Sequence, residues 1–278
     1  MSDGTHRRRI ILHLRYGATE RATIRAAAEL AHMLGLALHG VFLEDTALTE
    51  LTALPFIREF RLATGAWQRL DRQRIAEEQQ AAVSEARRLL DEVAASFGVT
   101  FLFDTASGEP AAFVATTSQA GDIIVVAQPR LPAERLAHAT AGWLQAAHGC
   151  GASVMLVPQM IARGSGPVAA VVCAEADPAL DIATRIAMGA GEALLLLVFG
   201  KPDLAQSVAA RARAAGLPPH RVTVRSIRGV APDDVVQGLT GGDERLVVLA
   251  RGACGADDAA VSSHIAVSRG VPVLVVEA

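Results

Sequence analysis

The chain has 278 residues, with apolar residues at 51%, charged residues at 20%, a net charge of −3 and a sequence pI near 6.2. That balance excludes a disordered chain, and it provides no global positive field for a nucleic acid or an acidic membrane surface. The three cysteines, Cys150, Cys173 and Cys254, are odd in number, widely spaced and without a CxxC pair, which fits a reducing compartment. No apolar run is long enough to span a bilayer and no secretory h-region precedes the first strand, so a cytoplasmic protein is expected. The one basic cluster, His6–Arg9, reads as the solvated flank of that strand.

In chain order, Arg9–Leu14 is a strand, and Thr19 caps a helix that ends at Gly35. Ala37–Leu43 is the second strand. Glu44–Leu70 is the least regular piece: Asp45 is placed to cap a short helix carrying Leu48, Leu51 and Leu54, closed by Pro55, before Phe56, Ile57, Phe60 and Trp67. So many apolar groups argue against an idle loop. Such a segment folds back over its own sheet, or serves as a lid or partner-docking patch. Arg72–Phe97 has Ile75, Val83, Ala86, Leu90 and Val93 on one face, the period of an amphipathic helix. Thr100–Thr105 is a strand, Gly108-Glu-Pro110 opens a helix, and Asp122–Ala127 is a buried strand. Pro132–Ala147 reads as a helix and Val154–Val157 as a fifth strand.

A Gly- and Pro-containing linker, Gln159–Pro167, follows. The order then repeats. Val168–Ala174, Ala193–Phe199, Val222–Ile227, Arg245–Ala250 and Val273–Glu277 are strands, separated by helices over Pro178–Met188, Pro202–Ala215, Pro232–Leu239 and Ala256–Ser268. A duplicated strand–helix order means parallel α/β in both halves. The expected division is 1–160, with an insertion at 44–70 that has no counterpart later, and a shorter 167–278.

The order of elements, together with Gly108-x-Pro110, the run Asp122-IIVV, its echo in Gly229, Pro232 and VVLARG, and the closing Pro272-Val-Leu-Val-Val276, resembles a tandem universal stress protein over nearly the whole chain. The resemblance implies two doubly wound open parallel sheets, each of strand order 3-2-1-4-5 and related to the adenine nucleotide alpha hydrolase type. A ligand crevice is implied where strands 1 and 4 part. It also implies a pseudo-dimer in which Val154–Val157 and Val273–Val276 pair within one chain, with further homo-oligomerisation left open.

ATP-binding members of that family carry Gly-x2-Gly-x9-Gly-Ser/Thr after the fourth strand, because bare main chain and a helix N-terminus cradle phosphates. In the first half the corresponding positions are Ala127, Arg130, Thr140 and Ala141: the glycines are gone. Arg130 is either a phosphate clamp or a surface arginine. In the second half Gly252 and Gly255 keep a Gly-x2-Gly, but the loop is shorter and Ala259-Ala260 stand at the Gly-Ser position. The acidic residue expected after the first strand is replaced by Arg15; Glu175 or Asp177 supplies it in the second half.

The candidate nucleotide-binding residues are therefore Arg130, Thr140, Glu175, Gly252 and Gly255. No catalytic residue, metal or cofactor is expected. The eight histidines include no HxH or HxxxH, His13 and His39 fall on adjacent strands, and Ser262-Ser263-His264 lacks a nucleophile elbow. The expectation is a non-catalytic regulatory protein with degenerate nucleotide motifs and a protein partner, with neither nucleic acid nor membrane. The alternative is a stress-response protein with a weak ATP or AMP site around Glu175, Gly252 and Gly255.

Overall fold

The computed structural model describes residues 8–15, 21–44, 50–52, 54, 56–61, 65–69, 71–108, 110–128, 146–200, 202–255 and 257–277. Among the described residues there are twelve strands: β1 Arg9–Arg15, β2 Ala37–Glu44, β3 Arg58–Arg61, β4 Ala66–Arg69, β5 Phe101–Ser107, β6 Ile123–Ala127, β7 Ser153–Val157, β8 Val168–Val172, β9 Leu194–Val198, β10 Val222–Ser226, β11 Leu246–Ala250 and β12 Val273–Val276. The helices are α1 Arg21–Leu34, α2 Arg72–Phe97, α3 Pro110–Thr117, α4 Pro178–Ala190, α5 Pro202–Ala214, α6 Pro232–Gly238 and α7 Asp258–Arg269.

Ten strands form one sheet in the order β10-β9-β8-β11-β12-β7-β6-β1-β2-β5. Each five read from its outer edge is 3-2-1-4-5 in its own chain order, as expected. The expectation of two separate sheets is corrected: β7 and β12 pair antiparallel, with Val273 opposite Leu156, Leu274 opposite Met155 and Val275 opposite Val154. All other pairings in this sheet are parallel. The joint has a simple cause. Both strands are fully apolar runs, and each left alone would expose a row of unpaired backbone groups at a sheet edge. Because the joint is antiparallel, the carboxyl ends of the two parallel sets point to opposite ends of the sheet.

Helices cover both faces. Along β1, Ile10, Leu12 and Leu14 enter one core layer and Ile11 the other; along β9, Leu194, Leu196 and Val198 enter the first, Leu195 and Leu197 the second. A strand packed on both sides must be apolar at every position, which is why these segments read as unbroken runs. Thr19, the expected cap of α1, lies outside the described residues. Asp71 accepts N–H bonds from Gln73 and Arg74 to open α2, and Gly98 closes it in the left-handed region at φ 65°.

The insertion differs from its expected form. Residues 50–52 are helical, but β3 Arg58–Arg61 and β4 Ala66–Arg69 pair antiparallel as a two-stranded sheet separate from the main one. Phe60 lies opposite Trp67, with ring centroids 5.4 Å apart. Asp45, Leu48 and Pro55 lie outside the described residues, as does most of the expected 132–147 helix; its last two residues, 146 and 147, belong to a helical stretch that runs to 149.

Candidate functional site

Ligands of open α/β sheets sit where adjacent strands leave in opposite directions, here beyond β1/β6 and beyond β8/β11. At the exit of β8 the chain runs Cys173 to Asp177 into α4. Asp177 is buried and fully engaged: one carboxylate oxygen accepts the Cys173 N–H and the other the Ala179 N–H, both at 2.9 Å. It is the N-cap of α4. Glu175 is exposed and turns toward α5, where its carboxylate takes the Ser207 hydroxyl; its carbonyl accepts from Arg211 at 2.7 Å.

At the exit of β11 the loop Arg251–Asp257 holds both candidate glycines. Gly252 has φ +70° and Gly255 φ +126°, and a Cβ at either would meet nothing within 4 Å. They are glycines for the turn, not for close approach to another group. The Gly252 N–H, the donor that a phosphate would need, points at the Asp258 carboxylate at 2.9 Å. Asp257 caps α7 by accepting the Ala260 N–H at 3.0 Å. Two carboxylates of this chain thus stand at the start of the helix where a polyphosphate would lie, and like charge opposes it.

Arg251 is turned away from the loop. It donates to the carbonyls of His148 and Ala152, the latter at 2.7 Å, and pairs with Glu277. An open hollow of ≈ 560 Å³ remains between His148, Arg251, Gly252, Asp257 and Asp258. Neither ring nitrogen of His148 has a hydrogen-bond partner among the described residues, and burial, followed by the nearby Arg251 charge, holds its pKa below the ordinary value against the opposing pull of Asp258 and Asp257. Under the loop, Cys254 is buried and its pKa is pushed up to about 12 by burial first and then by neighbouring Cys173. Such a thiol fills space and is a poor nucleophile at neutral pH.

In the first half, Gln128 follows β6. Its N–H bonds the Val157 carbonyl at 2.8 Å, and its side-chain amide donates to the Ser263 hydroxyl of α7 at 3.1 Å. Arg130 and Thr140 lie outside the described residues. His13 and His39 share a face of β1 and β2 but stand two positions apart in register, since His39 is opposite Ile11. His39 bonds Asp104 at 2.8 Å and Arg9 at 3.1 Å, and Arg9 in turn pairs with Asp122 at 3.5 Å. This run of polar contacts ties β5, β2, β1 and the start of β6 together. Among the described residues no group of three His, Cys, Asp or Glu could hold a metal ion. Sequence reasoning missed the roles of Asp258, Arg251 and Arg9. Asp257-Asp258 directly before an apolar helical run was the signal available for the first of them.

Comparison with solved structures bears on this geometry. The chain is similar to a universal stress protein from Archaeoglobus fulgidus, with TM-score 0.65 and 14% identity over 96% of each chain. The fold is that of the universal stress proteins. A putative universal stress protein from Pseudomonas aeruginosa gives TM-score 0.54 and 17% identity over 98% of this chain and 94% of the other. The cytoplasmic domain of a prokaryotic cation chloride cotransporter also gives TM-score 0.54, at 9% identity over 97% and 95%. No family model and no curated protein sequence matches the chain. At these identities the universal-stress architecture is what is shared.

Proposed function

We propose that the chain is a cytoplasmic, tandem universal-stress-like regulatory protein, its two halves joined as a pseudo-dimer, acting through a protein partner and not through catalysis or tight ATP binding. The Asp258 carboxylate on the Gly252 N–H carries this reading: the main-chain donor left from the glycine motif is already spent on an anion of the chain itself. Asp257 at the cap of α7 and Arg251 committed to the β7 side support it further. Charge of the wrong sign and absent donors together weaken a polyphosphate site more than either does alone. No helix among the described residues is long and apolar enough to cross a membrane, which fits the same reading.

The test is direct. Denatured protein should release no stoichiometric adenine nucleotide by absorbance and mass spectrometry, and ATP with Mg2+ should leave Tm unchanged. Copurified nucleotide, or a saturable rise in Tm, overturns the reading in favour of an ATP or AMP site in the hollow beside Gly252. Turnover of added ATP would overturn the non-catalytic part.

A further inference from the structure

We infer that the chain carries a small-molecule site at the joint between the two halves, for a short carboxylate with an apolar body. A cavity of ≈ 210 Å³ lies beneath α1, beside the linker that carries the chain from β7 to β8 and against the start of β11. Ala26, Leu30 and Met33 of α1 form its roof, Met155 and Leu246 its floor, and Ile161 of the linker one side. Leu30, Met155 and Leu246 are buried core residues, so the interior is fixed by the packing of the sheet and not by loops.

The occupant follows from size and charge. An apolar cavity of about 150 Å³ stays dry and takes one benzene, so this one suits an apolar body of roughly six to eight carbons. Four charged residues stand at the rim: Arg25, Arg163, Arg245 and Glu29. Arg245 is compensated, with Glu29 at 2.6 Å and Glu192 at 3.8 Å. Arg25 lies against the Phe97 ring and Arg163 donates to the Arg269 carbonyl at 3.4 Å; neither has a carboxylate within ion-pair distance among the described residues. The uncompensated charge at the mouth is therefore positive, and a guanidinium pairs a carboxylate through two parallel donors. Because roof, floor and side come from the first half, the second half and the linker, an occupant would tie the three together and stabilise the folded chain by mass action.

Octanoate is the probe, with 1-octanol as the same body without the charge, each titrated calorimetrically into the full chain and followed by thermal shift. Expected are saturable one-to-one octanoate binding, a rise in Tm, and octanol weaker by about tenfold. Arg163→Ala, at a half-buried linker position, should weaken octanoate by about tenfold and leave octanol unchanged. Ala26→Leu should abolish both; Met33→Phe gives a second way to fill the space should that variant fold poorly. No saturable octanoate binding overturns the site. Equal binding of octanol overturns the role of the arginines, and binding untouched by both filling variants places the probe elsewhere.

Discussion

His148 precedes β7 with both ring nitrogens unpartnered among the described residues, and the carboxylates that favour its protonation, Asp257 and Asp258, are outweighed by burial. Its folded pKa lies below its ordinary 6.5, so at pH values between the two the unfolded chain binds more protons than the folded one. The neutral ring therefore contributes stability that is fully present above 6.5 and is lost as pH falls toward the folded value. Tm should drop between about pH 7.5 and about pH 5.5, and His148→Leu should flatten that limb. An acid limb unchanged in the variant would show that the ring is accessible to water in the folded state. Residues of this kind were the least legible in the sequence. Gly252 and Gly255 stand out as a Gly-x2-Gly from spacing alone, and the structure makes them turn glycines. That the Gly252 N–H is occupied by Asp258 depends on the loop's length and curl, which no local pattern encodes. A search for phosphate-binding glycines does not look for a carboxylate competing with the phosphate.

At the scale of elements, the inner strands of the main sheet are readable because burial on two faces leaves little room for polar residues along them, whereas the edge strands β5 and β10 carry polar residues at exposed positions. The β3–β4 hairpin is not readable in this way. Its strands, REFR and AWQR, alternate charge with aromatics too briefly to set a period, while leucine spacing before them suggests a helix. The cross-strand Phe60–Trp67 pair and the positive φ of Gly65 between them are what fold it back. A two-stranded sheet is marginal alone, and this one is tied to α2 through the Arg74–Glu59 ion pair. With Trp67 63% exposed, Trp67→Ala should cost the hairpin about 0.5–1.5 kcal/mol of local stability. Amide exchange over 58–69 should quicken while the global unfolding midpoint holds. A matching fall in global stability would mean that the hairpin is part of the core.

The packing of α1 on α4 gives a sharper prediction. A Cβ built at Gly189 would stand 2.3 Å from the Met33 carbonyl oxygen and 2.9 Å from its carbon. The obstacle is backbone on both sides, so the helices must separate for any larger residue to fit. Gly189→Ala gains about 1 kcal/mol of helix propensity but should lose about 1–3 kcal/mol to the forced repacking. Denaturant unfolding should show net destabilisation; a more stable variant would mean that the two helices slide apart freely. A lone glycine inside a helical pattern is visible in sequence. Which neighbouring helix it admits is not, because that helix comes from the other half of the chain.

For the molecule as a whole, the decisive feature is the joint. The β7–β12 ladder is apolar, but polar ties flank it from both sides: Arg251 to the carbonyls before β7, Gln128 to Ser263, Arg245 to Glu29 and Arg185 to the Leu34 carbonyl. The core layers run through the joint without a break, since Met155, Leu246 and Leu274 fall in one cluster and Val154, Val247 and Val273 in the other. A ladder with continuous core on both faces gives the halves no place to unfold separately. Urea unfolding should therefore be a single transition, coincident by circular dichroism and by fluorescence. Arg251→Met tests the joint most directly, because Arg251 is only 21% exposed and meets two carbonyls and Glu277. Its loss leaves those carbonyls and the Glu277 carboxylate without their donor, which should cost about 2–4 kcal/mol. The transition should move to lower urea and stay single. If it splits in two, the halves are independently stable and the joint only aligns them.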